Sequence, residues 1–271
     1  MTKVTTLAVA LLVAGSLAAQ TASDNASNYT SWTNGSNQGT GFANWSLNDN
    51  DDGTTLFAGR FLGDSTAGAG NINTGGQSFG MYANPSGAFS TAIRSFSSPL
   101  AFNDQFTFQM AVNFDNGNKG FNLRTAGDSI FNFNVGSGGG VSSPNATLAA
   151  GSGAGYDYGG NDAVIDVTLQ MLSATSLSYD ISRTSSQGFQ GTLFSGNVTG
   201  ISGSVDNFEF YVSDTDAGGA PQNDLYFNNL EVSVVPEPGS YALIFGMVGL
   251  VGVLARRRRG ALEPQTNSIT L

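Results

Sequence analysis

Between Phe106 and Phe114 every second residue is apolar: Phe106, Phe108, Met110, Val112 and Phe114 alternate with Thr107, Gln109, Ala111 and Asn113. A period of two is the repeat of an extended chain whose successive side chains point to opposite faces, and it cannot give a helix one apolar side. The alternation returns at Ile165–Met171, Leu177–Ile181, Phe131–Val135, Phe208–Val212 and Leu230–Val234. It returns more weakly at Leu56–Leu62, Phe79–Ala83, Ala92–Phe96, Asn122–Arg124 and Gly191–Phe194. No stretch between residues 19 and 235 has helical spacing. Strands with one apolar face bury it by pairing sheet against sheet, so the expectation is an all-β antiparallel β-sandwich in preference to a closed barrel.

The turn chemistry agrees. Ser173-Ala-Thr-Ser176 separates two alternating runs and reads as a hairpin. Asn116-Gly117 is a strong hairpin signal and predicts that Phe114 and Phe121 flank a tight turn. Gly136–Gly160 reads as a surface loop or as structure at a sheet edge. With 37 glycines in 271 residues and no cysteine, the body relies on turns and a packed core, not on disulfides or thiolate metal sites.

Charge and composition exclude several functions. Residues 19–235 carry 18 acidic and 5 basic side chains, a formal charge of −13, so nucleic acid is not a partner: nothing there could neutralise phosphates. Histidine is absent as well as cysteine, which removes Ser-His-Asp triads, cysteine nucleophiles and ordinary zinc sites. Glycosidases need two carboxylates a few ångströms apart. The only glutamates of this region, Glu209 and Glu231, fall on solvent-facing positions of separate strands. The chain is therefore expected not to be an enzyme and to use no cofactor.

Two aspartate groupings are candidates for calcium, which takes several carboxylate and carbonyl oxygens from a turning loop. Asn48-x-Asn50-x-Asp52-Gly53 opens like an EF-hand loop, yet Gly59 stands where the bidentate acid belongs. Asp214, Asp216 and Asp224 form the preferred set, on a loop that Gly218-Gly219 lets fold back. The bland alternative for both is an Asx-rich turn. For sugar stacking, Tyr156 and Tyr158 in the glycine-rich stretch are the candidates. Trp32 and Trp45 read as core residues of the first strands, with a binding role as the alternative.

The two ends of the chain speak of export. Lys3, the apolar run Val4–Leu17 and the small residues Ser16 and Ala18 read as a signal peptide, residues 1–18, cut by signal peptidase after Ala18. Near the other end, the uncharged run Tyr241–Ala255 precedes Arg256, Arg257, Arg258 and Arg259. At about 1.5 Å per residue its fifteen residues make a helix of roughly 22 Å, short against a hydrocarbon core of about 30 Å. Gly239 and Ser240 extend it, giving a transmembrane helix over about 240–255, and the arginine stems can reach out of the apolar layer. The arginine cluster places that flank in the cytoplasm and the body outside. Pro236 and Pro238, bracketing Glu237, hold the chain extended beside the bilayer, where a processing enzyme can reach it.

Pro236-Glu237-Pro238, the short glycine-rich span and the arginine cluster together resemble the PEP-CTERM sorting signal of Gram-negative bacteria. The resemblance covers residues 236–259 and implies recognition by exosortase and delivery to the cell surface or the extracellular polysaccharide matrix. It departs from the usual pattern in the polar residues 260–271, which follow the arginines as a cytoplasmic tail. A Gram-positive wall signal is disfavoured, since no Leu-Pro-x-Thr-Gly precedes the span. Ser31-Trp32-Thr-Asn-Gly35, Gly41-Phe42 to Leu47, Asn118–Arg124, Ile130–Val135 and Asn223–Leu230 are similar, more loosely, to the Asn/Gly-rich ectodomains that accompany such tails, whose jelly-roll shape is concanavalin-like. Residues 19–235 are thus expected to form one extracellular domain of a structural or matrix protein, or else a polysaccharide-binding module.

Overall fold

The computed structural model describes residues 22–136, 139–150, 163–184 and 190–235. The chain divides into two compact units, Met1–Val234 and Val235–Leu271. The signal peptide, Tyr156, Tyr158, the Pro236-Glu237-Pro238 triplet, the membrane span, Arg256–Arg259 and the polar tail lie outside the described residues. Among the described residues, no helix is long and apolar enough to cross a membrane.

The first unit is built from strands β1 (Ala22–Asp24), β2 (Ser46–Asp49), β3 (Phe57–Gly63), β4 (Ser78–Asn84), β5 (Phe89–Ser95), β6 (Asp104–Val112), β7 (Asn118–Thr125) and β8 (Asp128–Asn134). They continue with β9 (Gly140–Ser142), β10 (Thr147–Ala150), β11 (Ala163–Ser173), β12 (Ser176–Arg183), β13 (Gly191–Thr199), β14 (Val205–Ser213) and β15 (Leu225–Val234). All pairings are antiparallel. The larger sheet runs β10-β13-β12-β11-β6-β15-β4-β3, with β1 also joined to β15, and the smaller runs β2-β5-β14-β7-β8-β9. Only short three-residue 3-10 turns interrupt this pattern among the described residues. The antiparallel sandwich expected from the alternation is what forms.

The two sheets meet on their apolar faces. Phe106, Phe108 and Met110 of β6 and Phe79 and Phe227 of β4 and β15 are buried against Phe121 of β7 and Phe208 and Phe210 of β14. Phe210 and Phe227 stack in parallel across the interface, ring centroids 3.7 Å apart, and Phe106 lies 4.9 Å from Phe208. At about 25 cal/mol per Å² of apolar surface removed from water, burial of this aromatic layer stabilises the pairing of the sheets. The Ser173–Ser176 turn closes the β11–β12 hairpin, as its residues predict.

Three expectations need correction. The alternating run ends at Val112, and Phe114 is left exposed beyond the strand. Asn116-Gly117 makes no hairpin: β6 belongs to the larger sheet and β7 to the smaller, so the turn carries the chain from one sheet to the other. Gly117 has φ +63°, and a side chain there would run into the Ser213 carbonyl, so glycine is required, but by a close approach and not by a two-residue turn. Trp32 and Trp45 are core residues, 5% and 1% exposed, yet both lie in irregular chain outside the strands. The glycine-rich stretch contributes β9 and β10, each at an edge of its sheet.

Residues 22–45 wrap in from the start of the unit and are fastened by charge. Asp24 and Arg94 form an ion pair with both side chains fully buried. Arg94 also donates to the Ala43 carbonyl and to Asn37, while its guanidinium lies 4.7 Å from the Phe42 ring centroid and 4.8 Å from that of Trp45. Asp24 accepts in addition from Tyr29 Oη at 2.6 Å and from Asn28 Nδ2 at 2.9 Å. Every lone pair that matters is thus engaged, the condition under which a buried ion pair is tolerated.

Candidate functional site

The outward face of β3 and β4 is aromatic. In the antiparallel register Phe57 opposes Asn84, Gly59 opposes Tyr82 and Phe61 opposes Gly80. Each glycine makes room for the ring opposite it: a Cβ at Gly80 would run into Phe61, and one at Gly59 would meet the Tyr82 hydroxyl at 2.8 Å. Phe61 and Tyr82 therefore lie down on the sheet with centroids 6.3 Å apart instead of standing up from it. The edge of Phe61 packs on Tyr226, the next outward residue of β15.

Over this platform folds the loop from Asp214 to Asp224. It is pinned at one end by Thr215, whose amide and hydroxyl both donate to the Ala83 carbonyl. Asp214, at φ +58°, accepts from the Gly87 amide at 2.7 Å and from the Ser213 hydroxyl at 2.6 Å. At the other end Asn116 Nδ2 donates to Asp216 Oδ2 and to Asn223 Oδ1, both at 2.7 Å. Between platform and loop lies an open cleft of about 460 Å³ lined by Phe57, Phe61, Tyr82, Asn84, Gly218, Gly219 and Asp224. Phe57 is 43% exposed, an apolar ring presented to solvent at the cleft mouth.

Asp224 supplies the charge. Burial pushes its carboxyl up to about 7, while the positive charge of Lys119 and the Tyr226 hydroxyl act in the opposite direction. Lys119 is itself fully buried, and burial brings its ammonium down to about 8 against the pull of Asp224, Asp115 and Asp216. Burial also raises the Tyr82 and Tyr226 hydroxyls, which stay protonated and able to donate. A carboxylate with a neutral-range pKa, an amide, a phenol and the bare backbone of two glycines converge on an apolar floor. That is the composition of a small-molecule site: apolar area for contact and a few placed polar groups for orientation.

The sequence-derived site residues fare unevenly. Asp214, Asp216 and Asp224 do not assemble into a metal site, because each is engaged elsewhere: Asp214 with Gly87 and Ser213, Asp216 with Asn116, Asp224 in the cleft wall beside Tyr226. Among the described residues, no three acidic side chains come together in a way that could hold a metal ion. Asp52 forms an Asx turn, accepting from the amides of Thr54, Thr55 and Leu56, and the Thr55 hydroxyl with these amides holds its carboxyl well below the usual range. Glu209 pairs with Arg124 at 3.2 Å on β14, and Glu231 lies exposed on β15 of the other sheet. Of the earlier candidates among the described residues, Asp224 lines the cleft, together with Gly218-Gly219. Phe57, Phe61, Tyr82 and Asn84 were missed, although Phe-x-Gly-x-Phe at 57–61 and Gly-x-Tyr-x-Asn at 80–84 show a period-two face of aromatics and glycines opposite the apolar one.

Fold and cleft together define an all-β sandwich with an aromatic cleft on the outer face of one sheet. At the carboxyl side of that sandwich, residues 234–259 carry the PEP-CTERM protein-sorting motif, matched by the family model of that description. No curated protein matches the chain. Among solved structures it is similar to the exoplasmic/lumenal domain of VIP36 in its calcium-bound form, at 9% identity over 71% of this chain and 84% of that one, with a TM-score of 0.39. It is also similar to the catalytic domain of β-agarase D from Zobellia galactanivorans, at 10% identity over 71% and 76% of the two chains, with a TM-score of 0.32.

Proposed function

We propose that this chain is an exported, non-enzymatic saccharide-binding protein of the cell surface or extracellular matrix, delivered through its PEP-CTERM tail. Delivery follows from the sequence: signal peptidase releases residues 1–18, the span over about 240–255 holds the precursor in the envelope of a Gram-negative cell, and exosortase processes the motif. The observation that carries the binding role is the cleft over β3 and β4. A pyranose ring has an apolar C–H face, which stacks on flat aromatic side chains, and a rim of hydroxyls, which need acceptors and donors at the edge. Phe61, Tyr82 and Phe57 offer the first, and Asp224, Asn84 and the backbone of Gly218-Gly219 offer the second. Among the described residues that line the cleft, Asp224 is the one carboxylate, which supports binding over hydrolysis by a carboxylate pair.

The reading is tested by retention of the full-length protein, in detergent, on immobilised neutral polysaccharides such as mannan, β-glucan and agarose. Replacing the platform ring, Tyr82→Ala, should weaken retention about tenfold, the ~1.4 kcal/mol typical of losing one stacking aromatic. Release of reducing ends by the wild type, lost in Asp224→Asn, would instead make it an enzyme.

A further inference from the structure

Lys119 is an unexpected residue to bury. It has no exposed surface, stands on β7 of the smaller sheet, and sends its ammonium under the crossover that carries the chain between the sheets. There Nζ donates to the Phe114 carbonyl at 2.6 Å and to Asn116 Oδ1 at 3.1 Å. The negative charges that bear on it are those of Asp224, Asp115 and Asp216. A backbone carbonyl and an amide oxygen lie within hydrogen-bond reach of the ammonium, and the carboxylates act on it through their charge alone. In this chain the positive charge among them is a side chain.

We propose that Lys119 is a built-in cation that positions the wall of the ligand cleft, so that ligand binding there is independent of divalent metal. The proposal rests on the saccharide reading of that cleft. Its route is a short chain of contacts. Lys119 fixes the oxygen of the Asn116 carboxamide, which leaves the amide nitrogen aimed at Asp216 and Asn223, the two residues that bracket the Gly218-Gly219 wall. Phe114, whose carbonyl the ammonium holds, in turn donates its amide to Gln222 at 3.1 Å. Asn223 leads directly into Asp224, so the carboxylate in the cleft is placed by the same network and faces the lysine charge through the protein. A bound ion could make these links, but it could also be chelated or lost. An ammonium tied to β7 cannot leave, and it is held against its own desolvation cost, as its pKa of about 8 records.

The experiment uses the full-length protein in detergent with calcium chloride and EDTA as probes. For the wild type, calcium should produce neither heat in titration calorimetry nor a rise in unfolding temperature, and retention on the polysaccharide columns should be the same in EDTA as in calcium. Lys119→Met keeps the stem and removes the charge, and should lower retention about tenfold, as loss of an outer positioning group does. Lys119→Met should also speed hydrogen exchange at the Asn223 and Asp224 amides, because the contacts that hold this part of the loop are gone. That last readout needs no saccharide, so a wild type that binds none of the columns sinks the proposed function while the exchange rates of Lys119→Met still decide the role of the lysine. Wild-type retention abolished by EDTA and restored by calcium would overturn the proposal. So would Lys119→Met retained as well as wild type, or a folded Lys119→Met whose Asn223 and Asp224 amides exchange as slowly as in the wild type.

Discussion

Arg94 and Asp24 hold opposite charges where neither side chain has any exposed surface, and the pair ties the first strand to the smaller sheet. Removing one partner strands the other charge in the core, which costs about 3–5 kcal/mol. Arg94→Met should therefore lower the urea midpoint sharply, and Asp24→Asn added to it should restore much of the loss, because the orphaned charge goes with it. Asp224 makes a prediction of a different kind. It keeps its proton to about pH 7 in the folded chain against an ordinary 3.8, so between those values the native state binds more protons than the unfolded one. The contribution of this group to stability is then greatest below pH 4 and declines as pH rises toward 7, by up to about 4 kcal/mol. Lys119 acts with the opposite slope, gaining stability as pH climbs from about 8 to 10.5, since there the folded chain binds fewer protons. Between pH 4 and 7 the urea midpoint of the wild type should fall relative to that of Asp224→Asn, the gap between them changing steadily with pH.

At the scale of elements, β3 and β4 owe their platform to two glycines. Gly80→Val would push Phe61 up from the sheet, and overpacking of this kind costs about 1–3 kcal/mol. The expected result is a folded protein with a modestly lowered unfolding temperature and a loss of polysaccharide retention far larger than that shift accounts for. The strands themselves were legible in the sequence because burial on one face leaves a period of two, as in Phe106–Val112 and Ile165–Met171. What the pattern did not carry was where an edge of the pattern ends: Phe114 has the right spacing but belongs to the crossover. Asn116-Gly117 misled for a related reason, since its residues report local backbone geometry and not which sheet comes next. The cleft was only half legible. Asp224 and Gly218-Gly219 stood out as loop chemistry, whereas Phe61 and Tyr82 looked like ordinary strand aromatics until the register set each against a glycine. Lys119 gave no signal at all, because a single lysine after a turn reads as a solvated one.

For the whole molecule, the tail is what gives the sandwich an address. Neutralising Arg256–Arg259 or replacing Pro236 and Pro238 should leave the precursor unsorted. Mass spectrometry of the mature protein should find a carboxyl terminus before Tyr241, and a chain still ending at Leu271 in the membrane fraction would make the segment a plain anchor. The strand that leads there has unusual support. β15 is bonded to β6 along one edge, while along the other it is shared by β4 at Leu225–Phe227 and by β1 at Leu230–Val232. It also begins at the cleft, one residue after Asp224, and ends at the sorting motif. A load applied between the two ends of β15 would act along the strand, in shear, so that its flanking hydrogen bonds resist together instead of opening in turn.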